Sequence, residues 1–372
     1  EFEHSGYAGR MDSWHELGKW QSVLNQGRDN LLPETKTAVK ELVKGIDNDR
    51  EKVKALYKFL QNKTRYVSIQ RGIGGFQPFD AATVDKLSYG DCKALSNYMV
   101  SILKEVGIKG YYTQIFGGER DRPVPKDFTI DYFNHIIVAV PLERDTVWLE
   151  CTNQQNPFGY LGSFTGNRYA LMVTDDGGKL VKTPSLSQSQ NQQIRSAEVI
   201  IDANGNAQAK ISTLYSGLQI ENDGLDYYLN KPADDQKKWL QKNIHIPSFD
   251  LNNYTIKMID EERPSVQLDL SLQLNRFGSV SGKRVFLTPN LMNRSTFIPE
   301  KLEERKNKIV RTIAFQDVDT VKYMLPDNVY PEFLPEAQKF SSAFGDYEVS
   351  FKINEKGLLY IRKLKMNKGE FP

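Results

Sequence analysis

The residue best suited to chemistry is Cys92, which follows Asp91 and precedes Lys93. Asp91 stands where the N-cap of a helix belongs, because its carboxylate can accept the free N–H groups of the first turn. Cys92 is then the first helical residue, at the positive end of the helix dipole, and Lys93 adds a neighbouring positive charge. Both effects favour the thiolate, the nucleophilic form of cysteine. The pattern predicts a nucleophile; the alternative is a buried cysteine that packs the helix start.

A nucleophilic cysteine needs an imidazole that takes its proton and carries it to the leaving group. The chain has four histidines, and only His135 lies in a predicted strand downstream of the helix. His4 lies in a probable tail, His15 in an early helix, and His245 beyond a linker. His135 is therefore the predicted partner of Cys92, and the alternative is an interior histidine with satisfied hydrogen bonds.

A third group should orient the imidazole through its other nitrogen, and the next predicted strand offers Glu150. Side chains alternate along a strand, so the pairing register decides which face Glu150 occupies. If paired positions sum to 285, Glu150 lies directly across from His135; if they sum to 286, Cys151 does and Glu150 points away. Both registers remain open from the sequence.

An oxyanion hole would combine the Cys92 backbone N–H with one side-chain donor upstream. Gln77 and Tyr89 are the candidates, against the alternatives of a solvated loop glutamine and a packing tyrosine. Cys151 has the opposite parity to Glu150, which predicts that it packs in the core. A disulfide between Cys92 and Cys151 is the other possibility considered, and it would remove the nucleophile.

Three predicted helices precede this constellation. Apolar residues recur at spacings of three and four from about Ser13, then over Thr35 to Gly45 and over Asp49 to Asn62. An irregular, glycine-containing segment from Thr64 to Gly90 leads to the Cys92 helix, which Gly107 closes.

Three predicted strands follow the Cys92 helix: Gly110 to Phe116, Phe133 to Val140, and Thr146 to Thr152. The last two are joined by the short turn Pro141 to Asp145, so we expect a hairpin. The loop before the His135 strand is charged and could gate a cleft or contact a charged peptide, although such loops are usually a solvated surface. Its charged residues are Glu119, Arg120, Asp121, Arg122, Lys126 and Asp127.

A chain of 372 residues favours two domains. A polar linker, Ser187 to Gln193, predicts a first domain of residues 1–185 and a second of residues 194–372. Alternating apolar runs in the second domain indicate an antiparallel β-sandwich, interrupted by one helix at about Ala233 to Lys242. The fold class predicted for the whole chain is α+β.

Composition excludes several classes of function. A net charge of +2 gives no electrostatic reason to expect a nucleic acid or an anionic membrane. Two cysteines and scattered histidines predict no metal site and no cofactor. No segment approaches the length of a membrane span. The chain opens on Glu1 and stops at Pro372 in a way that we interpret as an excised fragment.

Together these motifs carry a family resemblance. The order of a helix-borne cysteine, a strand-borne histidine and an acid on the next strand, at intervals of 43 and 15 residues, resembles the transglutaminase-like superfamily, which is related to papain. The match is closer still to a group of exported multidomain proteins of Gram-negative bacteria that carry a β-rich domain on each side of such a core. The matching phrases are Thr64-Arg65-Tyr66-Val67-Ser68-Ile69, Gly72-Ile73-Gly74-Gly75, Tyr89-Gly90-Asp91-Cys92-Lys93-Ala94-Leu95-Ser96, Asn134-His135-Ile136-Ile137-Val138-Ala139-Val140 and Trp148-Leu149-Glu150.

The resemblance implies a function and a location. It assigns Cys92 as nucleophile, His135 as base and Glu150 as the orienting acid, where the superfamily has aspartate. It implies acyl transfer on an amide through a thioester, by a peptidase, an amidase or a protein transglutaminase, acting on a protein or peptide in the periplasm or at the cell surface. The competing hypothesis is a catalytically weak or inactive module that binds a protein or a cell-surface partner.

Overall fold

The chain divides into two compact units, Glu1–Ser185 and Leu186–Pro372, in a computed structural model. The structure describes residues 1–69, 71–118, 123–293, 300, 304–327, 329–354 and 357–372. Helices and a sheet share the first unit and the second is rich in strands, so the predicted α+β class is confirmed. Within the described ranges, no helix is long and apolar enough to cross a membrane.

Eight helices occur in the described parts of the chain, six of them in the first unit. They are α1 (Trp14–Asn25), α2 (Pro33–Leu42), α3 (Asp49–Lys63), α4 (Ala81–Leu87), α5 (Cys92–Glu105), α6 (Gly162–Thr165), α7 (Leu225–Tyr228) and α8 (Ala233–Asn243). The sequence predicted α1, α2, α3, α5 and α8 but not α4, whose seven residues are too few to show a period. Asp80 caps α4 by accepting the Thr83 N–H at 3.0 Å.

Helix α5 carries Cys92 at its first position and forms for reasons visible in the sequence. The Asp91 side chain accepts the Ala94 N–H at 3.0 Å, which satisfies a free donor of the first turn. Gly107, with φ of +81°, takes the left-handed conformation that ends many helices. The apolar stripe predicted on α5, which includes Leu95 and Met99, is fully buried. Burial of that stripe against the sheet anchors the helix start that presents Cys92.

Nine strands occur among the described residues of the first unit. They are β1 (Phe2–His4), β2 (Tyr7–Gly9), β3 (Arg65–Tyr66), β4 (Tyr89–Gly90), β5 (Tyr111–Ile115), β6 (His135–Pro141), β7 (Thr146–Leu149), β8 (Tyr169–Val173) and β9 (Gly178–Lys182). Five of these strands form one antiparallel sheet in the order β7-β6-β5-β8-β9. The sequence predicted β5, β6 and β7, with β7 extending to Thr152, whereas β7 ends at Leu149.

The two faces of this sheet have different neighbours. Val138 and Val140 of β6 share a buried core with the apolar stripe of α5. Ile137 and Ala139, which point to the opposite face, belong to a separate buried cluster. His135 opens β6 and pairs with Ile115 of β5, so its side chain lies at the end of the sheet where α5 begins.

The second unit contains twelve strands in the described residues. They are β10 (Gln192–Ile201), β11 (Ala207–Ser216), β12 (Phe249–Asp260), β13 (Ser265–Leu274), β14 (Ser279–Ser281), β15 (Arg284–Phe286), β16 (Ile309–Arg311), β17 (Phe315–Met324), β18 (Gln338–Ser342), β19 (Gly345–Asn354), β20 (Gly357–Met366) and β21 (Gly369–Phe371). Eight of them form one sheet in the order β12-β13-β11-β10-β17-β20-β19-β18.

This large sheet differs in detail from the expected sandwich. Its neighbouring strands are antiparallel except β10 and β17, which run parallel. Residues of β10 alternate strictly between buried and accessible, so one face is covered and the other is open. Trp239 and Leu240 of α8 help to line a cavity of about 90 Å³ with Leu268 of β13, which shows a helix lying over the sheet. A helix therefore covers part of the face where a second sheet was expected.

Candidate active site

Cys92 is only 3% exposed at the start of α5, with its thiol free. Lys93 forms a buried ion pair with the second carboxylate oxygen of Asp91, so the charge of Lys93 is largely neutralised by its neighbour. This corrects the expectation that Lys93 would act on Cys92 as a free positive charge. The positive fields that still act on Cys92 are those of the helix N-terminus and of His135.

The floor beneath Cys92 is apolar. Cys92 shares a buried cluster with Tyr112, Ile136 and Val173 of the sheet. The hydroxyl of Tyr112 is buried there and has no hydrogen-bond partner among the described residues. Burial raises the pKa of Tyr112 well above its usual value, and the nearby charges of Cys92 and Asp91 add to the rise. Tyr112 therefore stays a neutral hydroxyl.

His135 bonds Glu150 and lies beside Cys92. Its Nε2 lies 2.8 Å and 3.1 Å from the two carboxylate oxygens of Glu150. The Cys92 side chain is close enough to the ring to contribute to the raised pKa of His135. Burial lowers the pKa of His135, but the charge of Glu150 and the hydrogen bonds with Cys92 and Glu150 outweigh it and raise that pKa to about 10. The imidazolium is the form present at neutral pH.

The register of the hairpin explains how Glu150 reaches the histidine. Val138 pairs with Leu149, so paired positions sum to 287, and neither register considered from the sequence was right. Because the sum is odd, the side chains of Glu150 and His135 lie on the same face of the hairpin. Glu150 lies opposite position 137, which is two residues along the chain from His135. Diagonal neighbours lie farther apart than direct pairs. The additional methylene of a glutamate spans that distance.

The carboxylate of Glu150 is itself held by Thr152. The Thr152 hydroxyl donates to Glu150 Oε1 at 2.6 Å and the Thr152 N–H donates to the same oxygen at 3.1 Å. Burial tends to raise the pKa of Glu150, but the charge of His135 and these hydrogen bonds hold it below the usual value. Tyr57 fixes the backbone by donating to the Glu150 carbonyl at 2.7 Å. Glu150 is therefore an ionised acceptor in a fixed position.

Cys151 lies on the other face of the hairpin from Glu150. It is 1% exposed within the core formed by α5 and β6. Burial raises the pKa of the Cys151 thiol well above its usual value, and the charge of Glu150 raises it further. Both cysteines are free, so the disulfide alternative is not formed. Cys151 is a packed neutral thiol.

The two predicted oxyanion donors have other partners. The amide nitrogen of Gln77 donates to the Tyr7 hydroxyl and to the Leu24 carbonyl, each at 3.2 Å. A donor role at Cys92 would require one of these bonds to break. Tyr89 pairs with Arg65 between β4 and β3, and its ring lies under the Arg65 guanidinium at 5.9 Å. The structure thus gives both residues a packing role, and their predicted role at the oxyanion stays a prediction.

An aromatic ring stands beside His135. Phe164 of α6 meets the imidazole edge-on, with ring centroids 5.2 Å apart. Asn134, the neighbour of His135, holds the loop beneath by exchanging two hydrogen bonds with the Gly117 backbone, at 2.7 Å and 3.0 Å. The loop residues Glu119, Arg120, Asp121 and Arg122, predicted to gate a cleft, lie outside the described residues.

Sequence reasoning missed Thr152, Tyr112 and Phe164. Thr152 had a local signal, because it lies two residues after Glu150 and a hydroxyl at that spacing can bond the preceding carboxylate. Tyr112 reaches the site through strand β5 of the sheet, and Phe164 reaches it through α6, which is distant in sequence. Neither position has a local signal. Within the described ranges, no three His, Cys, Asp or Glu side chains are grouped so as to hold a metal ion.

Comparison with known proteins supports the family resemblance. Residues 36–152 match the model of the transglutaminase-like superfamily, and residues 283–372 match DUF3858, a domain of unknown function with solved structure. The resemblance predicted from the sequence is confirmed for these regions. A search of curated proteins found no match.

One similar solved structure is a "putative protease" from Parabacteroides distasonis. The alignment covers 95% of this chain with a TM-score of 0.50 and 14% identity. It covers 53% of the other protein, so this chain spans about half of that protein's length. At this identity the comparison shows a shared fold.

Proposed function

We propose that the first unit performs cysteine-dependent acyl transfer on an amide bond of a protein or peptide. Cys92 is the nucleophile, His135 the proton carrier and Glu150 the group that orients the imidazole. The observation that carries the proposal is that the buried His135 ring bonds the Glu150 carboxylate and lies beside Cys92. The match to the transglutaminase-like superfamily supports it.

The first half of the reaction forms a thioester. The Cys92 thiolate attacks the amide carbon, a C–S bond forms, and the electrons of the C=O π bond move to oxygen. The backbone N–H of Cys92, at the start of α5, would donate to this oxyanion. When the intermediate collapses, the C–N bond breaks, and the His135 imidazolium protonates the departing amine.

The second half resolves the thioester. The neutral His135 takes a proton from water or from an amine as that nucleophile attacks the acyl carbon. The C–S bond then breaks and the thiolate returns beside the imidazolium. Water gives a peptidase or amidase, and a lysine gives a transglutaminase; we favour hydrolysis, because water needs no dedicated amine site.

The proposal is tested by incubating the protein with a pool of casein peptides and quantifying new amino termini by mass spectrometry. We expect cleavage by the wild type and by Cys151→Ser, and none by Cys92→Ala. Equal cleavage by Cys92→Ala would contradict the proposal. Adding a fluorescent primary amine measures the share of acyl groups that go to an amine instead of water.

A second candidate function is a binding module with little or no turnover. The specific observation in its favour is the 3% exposure of Cys92, because a substrate carbonyl must reach the sulfur. This module would bind a protein or cell-surface partner, and Cys92→Ala would leave that binding intact. Inertness of Cys92 toward small alkylating reagents, with the protein folded, would favour it over the enzyme.

The site of action that we propose is outside the cytoplasm. The resemblance to exported proteins of Gram-negative bacteria motivates a periplasmic or cell-surface location. Fractionation of cells that express the full-length protein, followed by immunoblotting, tests it. Recovery with the cytoplasmic fraction would contradict it.

A further inference from the structure

Phe164 is an exposed aromatic residue beside the proposed reaction centre. Its ring contacts the imidazole of His135, which lies beside Cys92. Yet Phe164 is 45% exposed, whereas Cys92, His135 and Glu150 are each at least nine-tenths buried. Exposed aromatic residues occur singly on many proteins. The position of this one, at the rim of the reacting pair, sets it apart.

The exposed ring is held firmly by the backbone around it. The guanidinium of Arg168 donates to the carbonyls of Ser163 at 2.6 Å, Phe116 at 2.8 Å and Gly118 at 3.0 Å. The Gly118 N–H donates to the Phe164 carbonyl at 3.0 Å. These bonds tie the turn that carries Phe164 to the loop that follows β5. The exposure of the ring is thus built into the fold.

The loop beneath the ring also requires a glycine. A Cβ atom at Gly117 would lie 2.6 Å from the Phe164 ring and 3.1 Å from the His135 Cβ. The first distance is a collision, so any larger residue at 117 would push the ring away from the imidazole. The ring lies against Gly117 and His135, and Phe164 is 45% exposed. An apolar group bound next to the reacting pair would cover part of that exposed surface.

We propose that Phe164 forms the wall of an apolar subsite, and that the site takes acyl donors with a large apolar side chain next to the scissile amide. This inference rests on the proposed function, since it assumes that the acyl group is delivered to Cys92. Covering a phenyl ring with another apolar side chain gives about a tenfold to a hundredfold preference over glycine.

The test compares chloromethyl ketones of N-acetyl-phenylalanine and N-acetyl-glycine, whose chloride is displaced when the Cys92 sulfur bonds the adjacent carbon. Labelling rates at Cys92 are measured by mass spectrometry in the wild type, Phe164→Leu, Phe164→Ala and a control, Phe340→Ala. Phe340 is 61% exposed in the second unit. Each rate is divided by that of iodoacetamide, which corrects for differences in thiol reactivity.

We expect a preference for the phenylalanyl reagent of about tenfold or more in the wild type and in Phe340→Ala. It should fall in Phe164→Leu and approach one in Phe164→Ala. An equal preference in wild type and Phe164→Ala would overturn the subsite. If Phe164→Ala lowered the labelling rates of both chloromethyl ketones and of iodoacetamide equally, the subsite would be overturned, and the ring would instead shield His135. If Cys92 reacts with none of the reagents, the proposed function fails as well.

Discussion

A buried ionic network in the first unit and one in the second unit are built differently. In the first unit Glu150 bonds His135, which lies beside Cys92. In the second unit Asp319 lies between Arg195 and Arg362, at 3.2 Å and 2.7 Å. Both are shielded from water, where an uncompensated charge is costly. The two networks differ because only the first leads to a side chain that could react.

The second-unit network leaves no donor of Arg195 unused. Its remaining N–H groups donate to Thr213, Asn293, Gln193 and Tyr215, at distances from 2.9 Å to 3.4 Å. A saturated network of this kind holds strands together and has no group left to react. The first-unit network satisfies Glu150 through Thr152 and His135 but reaches Cys92, the proposed nucleophile. We therefore interpret the first as chemical and the second as structural.

The largest expected effect is on the second network. Asp319→Ala leaves two buried guanidinium groups without their shared carboxylate and should lower the free energy of unfolding by about 3–5 kcal/mol. Urea denaturation measures this. The control Glu198→Ala removes an exposed ion pair with Lys322 and should change stability by less than about 1 kcal/mol. Equal small effects would show that the Asp319 network does not hold the unit together.

Breaking the first network should reduce reactivity more than stability. Glu150→Gln removes the charge that holds the imidazolium and should lower Cys92-dependent acyl transfer by about a hundredfold. Glu150→Asp should also lose rate, because the shorter side chain does not span the diagonal register. Peptide cleavage rates measure both. A fully active Glu150→Asp would contradict the explanation given for the glutamate.

A carboxylate beside the second network predicts a pH effect. Burial raises the pKa of Asp317 to about 6, opposed by Arg362 and Arg195. The pKa of Asp317 is therefore higher in the folded protein than in the unfolded chain, where it is about 3.9. The contribution of Asp317 to the free energy of unfolding is fully present below about pH 3.9 and is lost as pH rises toward 6. Asp317→Asn removes this loss and should stabilise the protein by about 1–3 kcal/mol at pH 8, with no gain at pH 4. Urea denaturation at both pH values tests it; equal gains would contradict it.

The smallest expected effect comes from two tyrosines of the first unit. Tyr112→Phe removes a buried hydroxyl without a partner and should raise stability by about 1 kcal/mol. The matched control Tyr57→Phe removes a hydroxyl that donates to the Glu150 carbonyl and should lower stability by about 1 kcal/mol. Thermal denaturation compares the two variants. Destabilisation by Tyr112→Phe would mean that its hydroxyl has a bonding role.

Local signals predicted much of the site. The Asp91 cap, the stripe on α5 and the strand of His135 all follow from short-range patterns, and the structure contains each of them. The fold class and the family resemblance were predicted from the same segments. A cap and a period depend on neighbouring residues, which is why they are readable from one sequence.

The features that were not predicted depend on long-range pairing. Both predictions of the register between β6 and β7 were wrong, because a short turn allows several pairings and β7 ends before Glu150. The parallel pairing of β10 with β17 joins segments more than a hundred residues apart. The ion pair that neutralises Lys93 depends on the conformation of both side chains. Patterns within single strands do not contain this information.

The pH dependence of alkylation at Cys92 tests the central claim most directly. Iodoacetamide labelling is followed by mass spectrometry in the wild type and in His135→Gln, with Cys151 as the internal reference. Because the pKa of His135 is raised to about 10, its imidazolium persists beside Cys92, and labelling of the wild type should depend less steeply on pH between about pH 6 and 9 than labelling of a free thiol does. In His135→Gln the rate should instead rise steeply with pH. A wild-type rate that rises like that of a free thiol, near pH 8.5, would contradict the account.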